Sequence, residues 1–320
     1  MEQIENKIKF SEKFKRKFIS FHDKNYKKLL IIPIVLIILG FVYMGYFYSN
    51  SPTHDFFNKD ISLSGGTSVT INIINQPINI NDLKNNISGK LGEVDIREIS
   101  DLISGQQKAV VVEIKTETCD QSQVDSIKSV LENYLNYSLI EGKNSNFECT
   151  GSSLGGDFYR QLLFSVLIAF VLMSIVVFIQ FKTFVPSIAV ITSAFADIFM
   201  SLVLVNILGI RISGAGIVAF LMLIGYSVDT DILLTNKVLR REGKSLNRKI
   251  MESFKTGITM TLTALLSTIL SLILVGSLSP ILYQIFLILT IGLCFDILNT
   301  WLTNVSIIKW YANRKNENKS

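Results

Sequence analysis

The apolar and polar positions of the chain fall into two regimes. Six long apolar runs stand out: Lys28–Tyr48, Tyr159–Gln180, Phe184–Leu208, Ile212–Thr235, Gly257–Gly276 and Ile281–Ile308. Each is close to or above the roughly 20 residues that a helix needs to cross a bilayer. Between the first two runs lies a polar stretch, residues 49–157, where the period changes. Ser68–Ile74 alternates like a strand, and Asn79–Leu91 sets Ile80, Leu83, Ile87 and Leu91 at helical spacing. Val94–Ser100 and Lys108–Ile114 read as further strands around a turn at Ser104–Gly105. Asp120 caps a second helix through about Asn136, with Val124, Ile127, Val130, Leu131 and Tyr134 on one side. A short strand near Asn146–Cys149 closes the unit. This βαββαβ order is the split βαβ, or ferredoxin-like, unit. The pattern therefore predicts a polytopic α-helical membrane protein: six transmembrane helices, with one α+β ferredoxin-like domain inserted between helices 1 and 2. The expected segments are 1–27, a basic leader; 28–48, the first span; 49–157, the inserted domain; 158–310, a five-helix bundle with a loop at 236–256; and 311–320, a tail.

Charge sets the orientation. The net charge of +5 is concentrated in three places. These are the N-terminal segment, the 236–256 loop (Lys237, Arg240, Arg241, Lys244, Arg248, Lys249, Lys255) and the C-terminal tail. The positive-inside rule makes all three cytoplasmic and places residues 49–157 outside. The inserted domain holds fifteen acids against eight bases, but long domains translocate whatever their charge, so the short flanks decide. Topology accounts for the basic stretches, and no nucleic-acid partner is expected. Residues 1–27 set Ile4, Ile8, Phe14, Phe18 and Phe21 among lysines, as a basic amphipathic helix on the inner leaflet or as a solvated tail. The first apolar run is too long for a cleavable signal peptide. Tyr43, Tyr46 and Tyr48 at one membrane face, and Trp301, Trp310 and Tyr311 at the other, fit interfacial aromatic belts. Three cysteines make no metal pattern: Cys119 and Cys149 fall where a disulfide is permitted, and Cys294 reads as a packing residue.

The candidate chemistry lies inside the membrane. The stretch Gly214–Lys237 reads GAGIVAFLMLIGYSVDTDILLTNK and carries Asp229 and Asp231. Asp197 and Asp296 lie in the third and sixth spans. A charge in hydrocarbon costs at least about 2.5 to 3.5 kcal/mol on insertion scales, so intramembrane acids are functional candidates unless they reach water at the cytoplasmic end. No His follows His54, so a proton relay would use carboxylates, hydroxyls and water. Two glycine-rich stretches flank the inserted domain: Asp60–Thr67 with Gly65 and Gly66, and Thr150–Asp157 with Gly151 and Gly155. They suit a hinge or docking collar at the outer membrane face, or a pair of plain linkers. The inserted domain has no phosphate loop and reads as a contact domain. No catalytic residue, metal or cofactor is expected.

These features together resemble the SecF family of the Sec protein-export machinery. The residues that carry the resemblance are Gly225-Tyr226-Ser227-Val228 before the fourth-span acids, Ser64-Gly65-Gly66-Thr67, Gly151-Ser152-Ser153-Leu154-Gly155 and Ala196-Asp197. Asp229-Thr230-Asp231 departs from the common bacterial pattern, whose acid falls on Thr230, and looks like the archaeal branch; Lys255 corresponds best to a basic residue ahead of the fifth span. The resemblance implies an accessory subunit of the Sec translocase in a prokaryotic cytoplasmic membrane. Its implied partners are SecD, the translocation channel and the exported unfolded polypeptide, with work drawn from the ion gradient. Half of an RND-like exporter of small molecules or lipids is the alternative, although such exporters carry larger external regions. An intramembrane protease would need a constellation such as Asp197 paired with Asp229, here without the usual Gly-Asp context. Residues two apart on a helix point about 200° from each other. Asp229, on the face of Gly225, Tyr226 and Leu233, is therefore the expected ion-coupling acid, and Asp231 is expected to pair with Lys237 or Lys255.

Overall fold

The computed structural model describes residues 28–51, 55–73, 76–91, 94–100, 104–115, 120–240, 245–275 and 279–317 of the 320-residue chain. The expectations for residues 1–27 and for Cys119 lie outside the described residues; Cys149 is disulfide-bonded. The chain begins with the membrane helix α1 (Ile31–Asn50) and a short helix α2 (Ile61–Ser64). The inserted unit, called the external unit after its expected side of the membrane, then runs β1 (Gly66–Asn72), α3 (Ile80–Leu91), β2 (Val94–Ser100), β3 (Gln107–Ile114), α4 (Gln121–Leu135) and β4 (Ser145–Thr150). It is followed by α5 (Ser152–Phe181), α6 (Phe184–Ile207), α7 (Gly214–Leu239), α8 (Leu246–Val275) and α9 (Pro280–Asn299). A π-helical turn (Thr300–Asn304) joins α9 to α10 (Val305–Glu317). Among the described residues, six helical stretches are long and apolar enough to cross a membrane.

The four strands form one sheet in the order β2-β3-β1-β4, antiparallel throughout. That is the ferredoxin-like arrangement expected from the alternating pattern. Val69 and Ile71 on β1 and Val110 and Val112 on β3 face Leu83, Ile87, Ile127 and Leu131 on the two helices, and all are buried. Burying each such side chain is worth about 1.5–3 kcal/mol, so this cluster alone makes the external unit a domain. Asp120 stands at the N-cap of α4 but makes no side-chain capping bond, and Asn136 ends that helix in the left-handed conformation at φ 58°.

In the membrane unit, α6 and α7 are the most enclosed helices, whereas α1, α5 and α8 leave most of their apolar surface bare. Small residues line the enclosed helices: Ala189, Ser193, Ala194, Ala196 and Ser201 on α6 are all buried. On α9, Gly292 lets Leu223 of α7 pack against its backbone. A Cβ there would sit 2.4 Å from the Leu223 Cδ2 atom.

Three elements differ from expectation. Helix α8 starts at Leu246, well before the expected Gly257, because the basic loop residues Lys249 and Ser253 are themselves helical and buried. The last span is not one regular helix but is broken by the π turn. Trp301 does not stand in an interfacial belt: it lies in that turn, buried, and packs edge-on against Phe254 with ring centroids 4.7 Å apart. Trp310 is exposed, as a belt residue would be.

Candidate functional site

Helices α6, α7 and α9 bring three carboxylates together inside the membrane unit. Asp197, Asp231 and Asp296 are each no more than 1% exposed. Asp197 accepts from Asn299 Nδ2 through Oδ1 at 2.7 Å and from the Ser227 hydroxyl through Oδ2. Asp231 Oδ1 accepts from Asn304 Nδ2 at 2.8 Å and from Thr300 Oγ1 at 2.9 Å. The same Thr300 hydroxyl lies 3.3 Å from Asp296 Oδ1, so it stands between two acids. Thr261 of α8 reaches Asp296 Oδ2 at 3.4 Å.

Every side-chain partner described for these acids is a hydroxyl or an amide; none is a cation. An ionised carboxylate can only accept hydrogen bonds, whereas a carboxylic acid both donates and accepts. Taking up a proton here therefore changes which bonds tie α6, α7 and α9 together. The cluster also has unused bonding capacity. Among the described residues, Thr235 Oγ1 and Asn304 Oδ1 are buried without a hydrogen-bond partner, and Ser193 lies within hydrogen-bonding reach of Asp231.

The π turn sets the register. Across it, Asn299 reaches Asp197 while Thr300 and Asn304 reach Asp231. Such single-turn bulges recur at functional sites. Thr261 stands out in the sequence only as a small residue able to hydrogen-bond between spans, and Asn299, Thr300 and Asn304 were not singled out. Polar residues in the last apolar run were the only available signal, and they do not say which acid each one meets.

Asp229 lies on the other side of α7. It is exposed along one stripe with Val218, Met222, Gly225 and Tyr226, and a Cβ on Gly225 would touch nothing within 4 Å. The fourth-span motif is therefore split: Gly225 and Tyr226 face outward with Asp229, and Ser227 faces inward to Asp197. The expected ion pair at Asp231 is not formed. Lys237 Nζ instead donates to Thr256 Oγ1 at 3.1 Å and to the Glu252 carbonyl at 3.5 Å. Lys255 is exposed on α8.

The glycine-rich stretches are in contact where the inserted domain joins the membrane helices. Gly66 has φ 137°, and a Cβ would meet the Ile114 carbonyl oxygen at 2.6 Å. Gly155 is buried against the other motif: a Cβ would lie 2.9 Å from the Gly65 nitrogen. Gly151 caps α5 in open space, and Asp157 is exposed. The backbone of the collar also hydrogen-bonds to the α6–α7 turn, Ile212 N to the Asn58 carbonyl at 2.8 Å and Asp60 N to the Ile212 carbonyl at 3.0 Å. That turn carries Arg211, which reaches Asp95 and Glu113 of the external sheet.

Comparison with known proteins fits this architecture. The family model "Protein export membrane protein SecD/SecF, C-terminal" matches residues 130–314. The protein-export membrane protein SecF of Methanocaldococcus jannaschii is 38% identical over 291 residues, covering 90% of this chain and 96% of that one. The SecF proteins of Methanolacinia petrolearia and Pyrococcus furiosus are 32% and 31% identical, each over 90% of this chain and at least 92% of their own. Among solved structures, SecDF of Thermus thermophilus, a translocon-associated membrane protein, matches with a TM-score of 0.74 at 18% identity. That match covers 91% of this chain but 38% of the longer SecDF chain, and at such identity it is a likeness of fold. With a family model over more than half its length and relatives aligned almost end to end, the chain belongs to the SecF family of protein-export membrane proteins.

Proposed function

We propose that the chain is the SecF-type subunit of a protein-export complex in the cytoplasmic membrane, that it pairs with SecD, and that its buried acids couple an ion gradient to movement. The observation that carries this reading is the Asp197–Asp231–Asp296 cluster. Three acids at the meeting point of α6, α7 and α9, held among the described residues by hydroxyls and amides, make the packing of those helices depend on protonation. A gradient does work only where a bound ion shifts the balance between two arrangements, and this cluster has the chemistry to do so. Asp231 thereby takes the coupling role first expected of Asp229.

Asp229 supports the partnership. An acid on a bare helix face in the middle of a span is costly unless another protein covers it. The longer SecDF chain has room for a second bundle, since this chain corresponds to 38% of it. SecD is the occupant proposed for the stripe from Val218 to Asp229. The test is export into proteoliposomes or cells carrying the SecD–SecF pair, with and without an imposed proton gradient. Asp231→Asn should remove the gradient-dependent part of export while SecD still copurifies. Full gradient dependence in both Asp231→Asn and Asp197→Asn would refute the coupling role of the cluster.

A further inference from the structure

The pairing of β2 with β3 sets Asp95 directly opposite Glu113. Like charges in that position repel, and the Glu113 side chain is only 2% exposed, so little water screens it. The sheet partly answers this itself: Arg97, two residues along β2, bonds Glu113 and reaches Asp60 of the collar at 3.2 Å. The rest of the answer comes from the membrane unit. Arg211, in the turn between α6 and α7, places one guanidinium nitrogen on Asp95 Oδ2 and another on Glu113 Oε2. A guanidinium suits this role because its donors form a planar fork and it keeps its charge. Burial lowers the proton affinity of Arg97, Asp60 and Asp95 oppose that, and the neighbouring charge of Arg211 adds to it. The two guanidiniums are thus held close by the acids between them.

Arg211 is anchored on its own side. Its carbonyl accepts from Gln284 Nε2 on α9, and Ser213, the N-cap of α7, donates to Gln284 Oε1. From Ser213, α7 runs without a break through Ser227 and Asp231, and α9 carries Asp296. Arg211 therefore ties the adjoining ends of two carboxylate-bearing helices to the external sheet, its carbonyl on the α9 side and its guanidinium on the sheet side.

We infer that Arg211 is a positioning residue: its fork across Asp95 and Glu113 holds the external domain in register with α7 and α9, as a clasp between the two units. Its use in export rests on the reading that the acid cluster drives movement; the clasp itself does not. The experiment is a distance measurement between spin labels at Ser129→Cys, exposed on α4, and Leu208→Cys, exposed at the end of α6, in a Cys294→Ala background. The protein is the full chain with SecD in lipid nanodiscs. The unsubstituted clasp gives one narrow distance distribution. Arg211→Gln broadens it or adds a second distance, and Arg211→Lys, which keeps the charge but not the fork, falls between. The readout is a distance between units, which a loss of stability within either unit does not move. A distribution in Arg211→Gln that superimposes on the parent overturns the inference. If Arg211→Gln fails to assemble, Asp95→Asn, which removes one arm at a half-exposed acid, takes its place, and an unchanged distribution there and in Arg211→Lys overturns it equally. Export is not read, so the proposed function and the clasp fail separately.

Discussion

Two residues on α7, two positions apart, live in different surroundings: Asp231 is enclosed and hydrogen-bonded, and Asp229 is bare. The 200° separation was legible in the sequence from helix geometry alone. The surroundings of each were not, because sequence shows that an acid lies in a span but not which side chains meet it. The energetic consequence separates two substitutions. Asp231→Leu leaves the Asn304 amide only the backbone carbonyl of residue 231 at 3.4 Å and the Thr300 hydroxyl only Asp296 at 3.3 Å, a loss of up to roughly 1–3 kcal/mol for each weakened bond. Asp231→Asn keeps an oxygen in place, and its cost should stay within about 1 kcal/mol. Thermal unfolding in detergent should rank wild type and Asp231→Asn close together, with Asp231→Leu well below; equal midpoints for all three would show that these bonds do not hold the bundle. Gly66 offers a second residue-scale check. Its positive φ and the Ile114 oxygen at 2.6 Å leave no room for a side chain, so Gly66→Ala should destabilise the external domain by about 1–3 kcal/mol. Gly45, on the lipid-facing helix α1 with nothing near it, is the control that Ala should not disturb.

Elements were legible where a single period dominates. Val94–Ser100 appears as expected, and the other strands shift by no more than two residues, because alternating burial on one face of a sheet dictates both strand and register. The start of α8 was missed because its first turns are basic and amphipathic, which a search for apolar runs discards. The π turn was missed because one extra residue in a helical turn leaves no mark on apolar periodicity. The short helix α2 was missed because four residues are too few to show a period. Packing between elements gives its own prediction. Gly292 on α9 and Leu223 on α7 occupy one contact, with a hypothetical Cβ at 2.4 Å. Gly292→Ala should overpack it at about 1–3 kcal/mol, and Leu223→Ala should leave a cavity costing about 2–5 kcal/mol. The double variant should cost less than the sum of the two, since each change offsets the other. Strict additivity in detergent unfolding would show that α7 and α9 do not meet there.

At the scale of the whole molecule, the two units meet through the glycine collar and Arg211, and the described basic residues Arg248 and Lys249 lie at the opposite end of the bundle, at the start of α8. Single cysteines at Ser129 on α4 and at Ser245 before α8, both exposed, should label from opposite sides of the membrane; labelling of both from one side would contradict the assigned orientation. Pairing with SecD should raise the unfolding temperature, as any partner that binds only the folded state does, and the gain should shrink for Asp229→Lys on the open stripe. The chain's membership of the SecF family and its fold were both legible from the order of its motifs. The acid cluster was legible only as three separate aspartates. The most direct measurement is protein export by reconstituted SecD–SecF with and without a proton gradient, comparing wild type with Asp231→Asn in complexes of equal SecD content. Loss of the gradient-dependent component in Asp231→Asn, with basal export retained, is the predicted result. An undiminished response to the gradient in Asp231→Asn, and again in Asp197→Asn, would contradict the account.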